Sequence, residues 1–406
     1  MARLLNGHDF RLAARRRLPR GVFEYIDRGS EDETALLAIA QDLAAVRLAP
    51  RILTGHGEPE LGVTLFGRQV GAPLIVAPTA LAGLVAHDGE IKLARAAARR
   101  GIPFTISTQS VTVLEDIRAG APGAELWFQL YVWQDRALMR RLLERVRACG
   151  VATLVVTADT VVAPNREYNA HNGFGMPFRW SARAALDVAM HPGWVLRVLA
   201  PYIRRGGMPA YGHYPADARP TITRTVNDPR VRLENRLDWD DMRALRRFWK
   251  GEIVVKGVLH PDDARRAIEI GMDGIVVSAH GGRNLDCAVT PAAALPAIVD
   301  AVAGRIAVLA DSGVRRGSDV LKYLALGASA VLAGRLPLWG LAAAGEDGAG
   351  RLLDIVLAEM RTAMGQLGIA HPHEVRALTE LSRQGADAAR HPTSNTTPCA
   401  SGNDRE

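Results

Sequence analysis

Cysteine is nearly missing from this sequence: Cys149, Cys287 and Cys399 are the only three in 406 residues. Thiols so few and so far apart exclude a disulfide framework and a cysteine-based zinc centre. Long apolar runs are missing too, so no segment reaches the roughly eighteen residues that a membrane-spanning helix needs. The opening stretch MARLLNGHDFRLAARRRLPRG lacks the continuous apolar segment of a signal peptide. These absences lead us to expect a reduced cytoplasmic protein. Net charge is +7, which favours anionic partners. The arginines are nevertheless scattered, and no basic run interleaved with aromatics supports nucleic-acid binding. No GxGxxG follows the first strand-like run, which argues against an open dinucleotide-binding sheet.

What is present is a repeat. Hydrophobic residues make up 48% and charged residues 23%, ordinary for a globular chain with a sizeable core. Eight short apolar runs recur at 72–79, 104–107, 126–131, 153–159, 253–257, 274–279, 307–312 and 330–335. Their continuous apolar character predicts strands buried on both faces, as in a parallel sheet. Helix-like stretches lie between them, among them 89–101, 135–150, 261–271 and 317–327, each closed by glycine. Eight strand–helix units predict a closed (β/α)8 barrel. We expect one domain over 1–384, with a helical extension over residues 1–70 and a long insertion, 160–252, after the fourth strand. The tail 385–406 is polar and expected to be disordered.

In such barrels the site is built from the C-terminal ends of the strands. Here those ends carry Thr79 and Ala80, Ser107, Gln129 and Tyr131, Thr157 and Asp159, Lys256, then Ser278, His280 and Arg283, Asp311, and Gly334 and Arg335. Singly, each has a bland reading as a helix cap or a surface charge. Eight strands delivering polar groups to one rim do not. The glycines of DSGVRRG and AGRLP expose backbone N–H groups beside Arg315 and Arg335, a pattern suited to phosphate. Lys256 could stabilise an anionic ring, and Gln129, Thr157 and Ser107 suit the edge of a planar heterocycle. Flavin mononucleotide (FMN) meets all three requirements.

The strings FEYIDRGSEDE, FQLYVWQDR, TADT, NRE, VVKGV, SAHGGRNLD, DSGVRRGSDVLKYLALGA and GRLPLWGLAAAGEDG resemble the FMN-dependent 2-hydroxy acid oxidase and dehydrogenase family, from about residue 8 to about 368. HGGRNLDCA, DSGVRRGSD and the HPGW…GGMP stretch resemble its mandelate dehydrogenase branch. The resemblance implies oxidation of an L-2-hydroxy acid, mandelate- or lactate-like, to the 2-oxo acid. It implies His280 as base, oriented by Asp159, and Arg166 and Arg283 as clamps for the substrate carboxylate. Tyr25 would bind the same carboxylate, and Tyr131 would lie by the hydroxyl. FMN contacts would fall on Thr79, Ala80, Ser107, Gln129, Thr157, Lys256, Ser278, Asp311, Gly313, Arg315, Gly334 and Arg335. A homotetramer is likewise implied. Three positions depart from the family pattern: Ala279 stands for the usual Asn, Gln109 for the Trp of glycolate oxidase, and Ser312 for a Gly.

The insertion places Phe174, Met176, Phe178, Trp180, Trp194 and Tyr202 among arginines. It reads either as a lid or as an amphipathic segment. We take residues 177–215 as an arginine-rich, tryptophan-bearing surface for the inner face of the cytoplasmic membrane, with a quinone-type electron acceptor. The alternatives are an oxidase that uses oxygen, a flavin-free isomerase or aldolase working through Lys256, a flavin-bearing isopentenyl diphosphate isomerase, and a non-catalytic barrel.

Overall fold

The computed structural model describes residues 3–175, 177–179, 181–224 and 228–378. Met176, Trp180, Cys399 and the tail 385–406 lie outside the described residues. All eight apolar runs form strands: β1 (Leu74–Val76), β2 (Phe104–Ser107), β3 (Leu126–Leu130), β4 (Leu154–Thr157), β5 (Ile253–Val258), β6 (Gly274–Val277), β7 (Ala307–Asp311) and β8 (Ala330–Ala333). Each pairs in parallel with its neighbour, and β8 returns to β1, so the sheet closes into a barrel. The expected (β/α)8 architecture is the one observed.

Side chains alternate across a strand with a period of two, and this alternation divides the core. Ile75, Trp127, Val155, Val254, Val276, Leu309 and Leu332 form one cluster inside the barrel. Their strand neighbours, such as Leu74, Phe128, Leu154 and Val156, join the larger cluster beneath the helices. Counting on by two from the inner set reaches Gln129, Thr157, Lys256, Ser278 and Asp311, and Ser107 ends β2. All six are buried polar residues. The period that builds the core therefore aims a polar ring into the C-terminal mouth.

The N-terminal extension is helical at first, as expected. Between the helices Gly7–Arg17 and Thr34–Ala45 lies a short third one, Arg20–Asp27. Its acid Asp27 holds Arg11 of the first helix through a pair of hydrogen bonds of 2.7 and 2.6 Å. An antiparallel hairpin, Val63–Leu65 with Arg68–Val70, ends the extension, so residues 1–70 are not wholly helical. Its Leu65 and Val70 join the barrel's inner cluster, and the ring of Phe66 lies 5.7 Å from that of Trp127. The hairpin thus packs into the barrel end remote from the polar ring.

Between β4 and β5 the last helix, Trp239–Phe248, belongs to the barrel's own strand–helix rhythm. It starts with a capping box in which Asp238 and Asp241 satisfy each other's backbone N–H groups. The preceding residues carry helices Glu167–Asn172, Ala182–Ala189 and Ala200–Arg204. The expectation of a tryptophan-bearing outer surface is corrected at Trp194, while Trp180 lies outside the described residues. Trp194 is buried, with its indole N–H donating to the Leu84 carbonyl at 2.8 Å. An indole N–H needs a partner once desolvated, and that backbone oxygen pulls the ring inward. Among the described residues of 177–215, the exposed large hydrophobics are Leu186, Met190, Leu196, Ile203 and Met208. No helix among the described residues is long and apolar enough to cross a membrane.

The first helix lies along the long helix Arg335–Leu367, and Phe10 is completely buried there. Phe10→Ala should lower the stability of the protein by about 3–5 kcal/mol. Leu5→Ala, at a side chain that is 65% exposed, should stay within about 0.5 kcal/mol. Denaturant midpoints measured on both variants check this.

Candidate active site

The polar ring forms the floor of a cavity of about 330 Å³ at the C-terminal mouth of the barrel. At its centre Lys256 donates to Ser278 Oγ at 2.8 Å and pairs with Asp311 at 3.0 Å. Burial alone would lower the lysine pKa, but Asp311 and then Asp159 hold it above the ordinary value. Beside it, Gln129 accepts from the Ser107 hydroxyl at 3.1 Å and donates to Thr157 Oγ1 at 3.0 Å. Asp311 also accepts from Ser312 Oγ at 2.7 Å.

His280 follows β6 with a positive φ of 52°. A histidine rarely adopts this conformation, and it persists only where the surroundings impose it. Here the backbone N–H of His280 donates to Ser278 Oγ at 3.0 Å, and Nδ1 lies 2.9 Å from Asp159 Oδ1. Desolvation would raise the Asp159 pKa, yet His280 and Lys256 hold it down at about 2. An ionised carboxylate only accepts, so Nδ1 carries the proton and Nε2 of the neutral ring keeps its lone pair. Burial lowers the His280 pKa; Asp159 acts against that shift and Lys256 with it. Asp159 is itself fixed by Thr160 Oγ1 and by the amide of Asn284, at 3.0 and 3.3 Å. The glycines after His280 are a matter of space. A Cβ on Gly282 would lie 2.7 Å from the Leu36 backbone nitrogen, in the helix Thr34–Ala45.

Above the floor three guanidiniums face the cavity. Arg166 donates to the Arg283 carbonyl, Arg283 to the Arg28 carbonyl, and Arg335 to the carbonyls of Asp27 and Arg28. Among the described residues none of the three forms an ion pair with a carboxylate. Burial, reinforced by repulsion from Arg283, lowers the pKa of Arg166 and pushes that of Arg335 down to about 9. The Arg283 guanidinium sits 5.1 Å from the centroid of the Tyr25 ring. Burial, with Asp159 nearby, raises the Tyr131 hydroxyl to about 12, so it stays protonated.

Of the eighteen candidate site residues named from the sequence, sixteen line the cavity; Asp159 and Ser278 do not. Those two lie behind His280 and Lys256 and orient them. Sequence reading passed over Asn284, although it lies within the quoted SAHGGRNLD string, and over Thr160, Trp339 and Leu233. Asn284 could have been suspected as a polar residue four positions beyond the base. Leu233, from late in the insertion, carried no signal.

A family model, FMN-dependent dehydrogenase, matches residues 14–380. The chain belongs to this family. It is 43% identical to L-lactate dehydrogenase of Pseudomonas aeruginosa over 380 residues, covering 93% of this chain and 98% of the relative. Against L-lactate dehydrogenase of Xanthomonas axonopodis pv. citri it is 44% identical over 386 residues, covering 94% and 97%. Among solved structures it is similar to the monotopic membrane protein (S)-mandelate dehydrogenase, with a TM-score of 0.86 and 36% identity over 92% of this chain and 98% of that one. A mandelate oxidase variant with (S)-mandelic acid gives a TM-score of 0.76 and 35% identity, covering 92% and 97%. This chain is therefore an FMN-dependent oxidoreductase.

The cavity fits that cofactor. The Ser107–Gln129–Thr157 row and Lys256 would offer neutral hydrogen-bonding groups and one cation to the edge of its ring. At the other end Gly313 and Gly334 leave backbone exposed beside Arg315 and Arg335. The Arg315 guanidinium makes no hydrogen bond or ion pair to protein among the described residues, and the buried indole N–H of Trp339, another lining residue, lacks a partner. Such donors suit a phosphate-bearing ligand.

Breaking a buried ion pair from one side leaves an uncompensated charge. Lys256→Met should therefore destabilise the apoprotein by about 3–5 kcal/mol, and adding Asp311→Leu should restore much of that loss. Equal destabilisation of the single and double variants in chemical denaturation would show that the two side chains are not coupled.

Proposed function

We propose that this enzyme oxidises a small L-2-hydroxy acid, lactate- or mandelate-like, to the 2-oxo acid, and passes the electrons to a quinone-type acceptor. One observation carries the reading: three cavity guanidiniums with no carboxylate partner among the described residues stand above a histidine whose free nitrogen is a base. The names of the relatives, lactate and mandelate dehydrogenases, agree with it.

FMN, when bound over the Gln129–Lys256 floor, supplies the two-electron acceptor. The protein's own groups do the rest. Arg166 and Arg283 present planar forks that match a carboxylate bidentately, which a lysine could not do. Tyr25, stacked under Arg283, contributes its hydroxyl to the same anion, and protonated Tyr131 donates to the substrate hydroxyl. His280 Nε2 takes a proton from the substrate, and the adjacent Asp159 stabilises the imidazolium that forms. Lys256 keeps positive charge beneath the cavity, where negative charge accumulates. Thr79, Ala80, Ser107, Gln129, Thr157, Gly313, Arg315, Gly334 and Arg335 hold the cofactor, while Ser278 and Asp311 position Lys256.

The acceptor reading rests on the insertion. Exposed Leu186, Met190, Leu196 and Ile203 lie among the exposed Arg183, Arg197, Arg204 and Arg205. Aliphatic side chains beside arginines suit an anionic bilayer surface. The similar (S)-mandelate dehydrogenase is a monotopic membrane protein, so we place this enzyme peripherally on a membrane. The alternative is an oxidase that uses oxygen, as the likeness to a mandelate oxidase allows. Rapid peroxide formation on adding substrate in air would favour it. The homotetramer implied by the family resemblance remains part of the proposal.

Replacing His280 by Ala should leave flavin bound and slow its bleaching by substrate by about 10²–10⁴-fold or more. A base works only when deprotonated, so activity is present above its pKa and lost as pH falls through it. Because the His280 pKa is lowered, the acid limb of kcat/KM should lie below the ordinary histidine range. Asp159→Asn removes an influence that raises this pKa, so the limb should move further down while the plateau rate drops. Bleaching of His280→Ala at the wild-type rate would remove the histidine from the mechanism.

Leu196→Ser with Ile203→Ser should reduce binding to anionic vesicles by at least about ten-fold, since each buried aliphatic side chain contributes roughly 1.5–3 kcal/mol. Turnover with a soluble dye should be unaffected. Vesicle flotation with dye-linked assays checks both, and unaltered flotation would rule out this face as the contact.

A further inference from the structure

A second cavity, of about 300 Å³, lies between the N-terminal extension and the insertion. Its walls include Val22, Leu84, Phe174, Phe178, Ala184 and Trp194. Several of the polar groups around it are already committed: the Asn172 amide donates to Glu24 at 2.7 Å and accepts from Phe174 N–H at 2.8 Å, and Asp187 accepts from Arg20 N–H at 2.6 Å. His171 and Arg183, which also border it, are exposed to solvent. The apolar walls suit an uncharged, apolar ligand better than a hydroxy acid.

Three elements each reach both cavities. Helix Arg20–Asp27 places Val22 in the apolar cavity and Tyr25 in the catalytic one. Helix Glu167–Asn172 has Arg166 at its catalytic end and Asn172 at its apolar end. The segment after β1 carries Thr79 and Ala80 on one side and Leu84 on the other. The partition is thin: the Tyr25 ring lies 4.8 Å from that of Phe174, which is 6.2 Å from Phe178. On the outer side Leu186 and Met190, more than 60% exposed, stand at the rim.

We propose that this apolar cavity is the binding site of the lipophilic electron acceptor, a quinone whose ring enters past Leu186 and Met190 and comes to rest against Phe174. The assignment rests on the quinone reading above. The quinone takes up two electrons and two protons and leaves as the hydroquinone. The hydroxy acid loses the same two electrons and two protons on becoming the oxo acid, so the overall exchange balances. A membrane contact through Leu196 and Ile203 would set the opening toward the lipid phase, where such an acceptor dissolves.

The test fills the cavity. Ala184 is buried in its wall, and Val188 lies one turn further along the same helix. Ala184→Phe, and independently Val188→Trp, should weaken binding of decylubiquinone to the oxidised holoenzyme at least ten-fold in equilibrium dialysis. Each should raise the KM for decylubiquinone by a similar factor. Bleaching of the flavin by hydroxy acid and turnover with ferricyanide should stay at wild-type rates. Wild-type quinone affinity in folded variants, or no saturable binding to the unaltered enzyme, would overturn the proposal. Loss of vesicle binding with quinone kinetics intact would also overturn it, assigning the cavity to an acyl chain. Failure of hydroxy acid to bleach the wild-type flavin would refute the substrate reading and leave the dialysis result to judge this site alone.

Discussion

An ammonium group buried in the mouth of a barrel must have an anion within reach, and the site is organised around that requirement. Lys256 on β5 reaches Asp311 on β7 at 3.0 Å, with Ser278 accepting at 2.8 Å beside β6. Burying either charge alone would cost several kcal/mol. This pairing fixes the remaining electrostatics. Asp311 is committed to Lys256, and Asp159 is committed to His280. Among the described residues no carboxylate pairs with Arg166, Arg283 or Arg335, whose guanidiniums donate to backbone carbonyls. The cavity is therefore positive by construction, and a cofactor phosphate with a substrate carboxylate would complete it.

Much of this was legible because the same two-residue period that identifies a strand also tells which of its residues face inward. From Val155 and Val254, apolar and inward, the next inward positions are Thr157 and Lys256. All eight strands could be found from their short continuous apolar runs, and the polar ring followed from their ends. What stayed hidden depends on distance in the chain. Asn284 meets Asp159 across 125 positions, and nothing local marks the pair. Arg20–Asp27 is only eight residues long, so its apolar face of Val22, Phe23 and Ile26 spans barely two turns and does not stand out as a separate helix. Trp194 looked like a surface aromatic, because its partner, the Leu84 carbonyl, lies 110 positions away.

The insertion is held by aromatic side chains with polar tips rather than by apolar packing alone. Trp194 donates to Leu84 O at 2.8 Å, and Tyr202 to Gly83 O at 3.3 Å. Both acceptors lie just beyond Thr79 and Ala80. The same segment is stiffened from below by the buried Glu90, which accepts from Gly83 N–H and Val111 N–H at 3.1 and 2.9 Å. The insertion therefore docks on a braced part of the cavity wall. With Trp194 and Tyr202 bonded inward, exposed leucine, isoleucine, methionine and arginine side chains are prominent on the outer face of the described residues.

This division of labour explains why two cavities stand side by side. In the proposed reaction a hydroxy acid must be stripped of water and held by paired charges, which calls for a polar enclosure. A lipophilic acceptor would be repelled by that enclosure, because entering it would leave Arg166 and Arg283 desolvated without an anion. Separate chambers remove the conflict, provided that the partition between them is thin. A partition built of Tyr25 against Phe174 meets both conditions: its tyrosine face is polar toward the substrate, and its phenylalanine face is apolar toward the acceptor. The chain can thus offer each reactant its own solvent while keeping them one pair of rings apart.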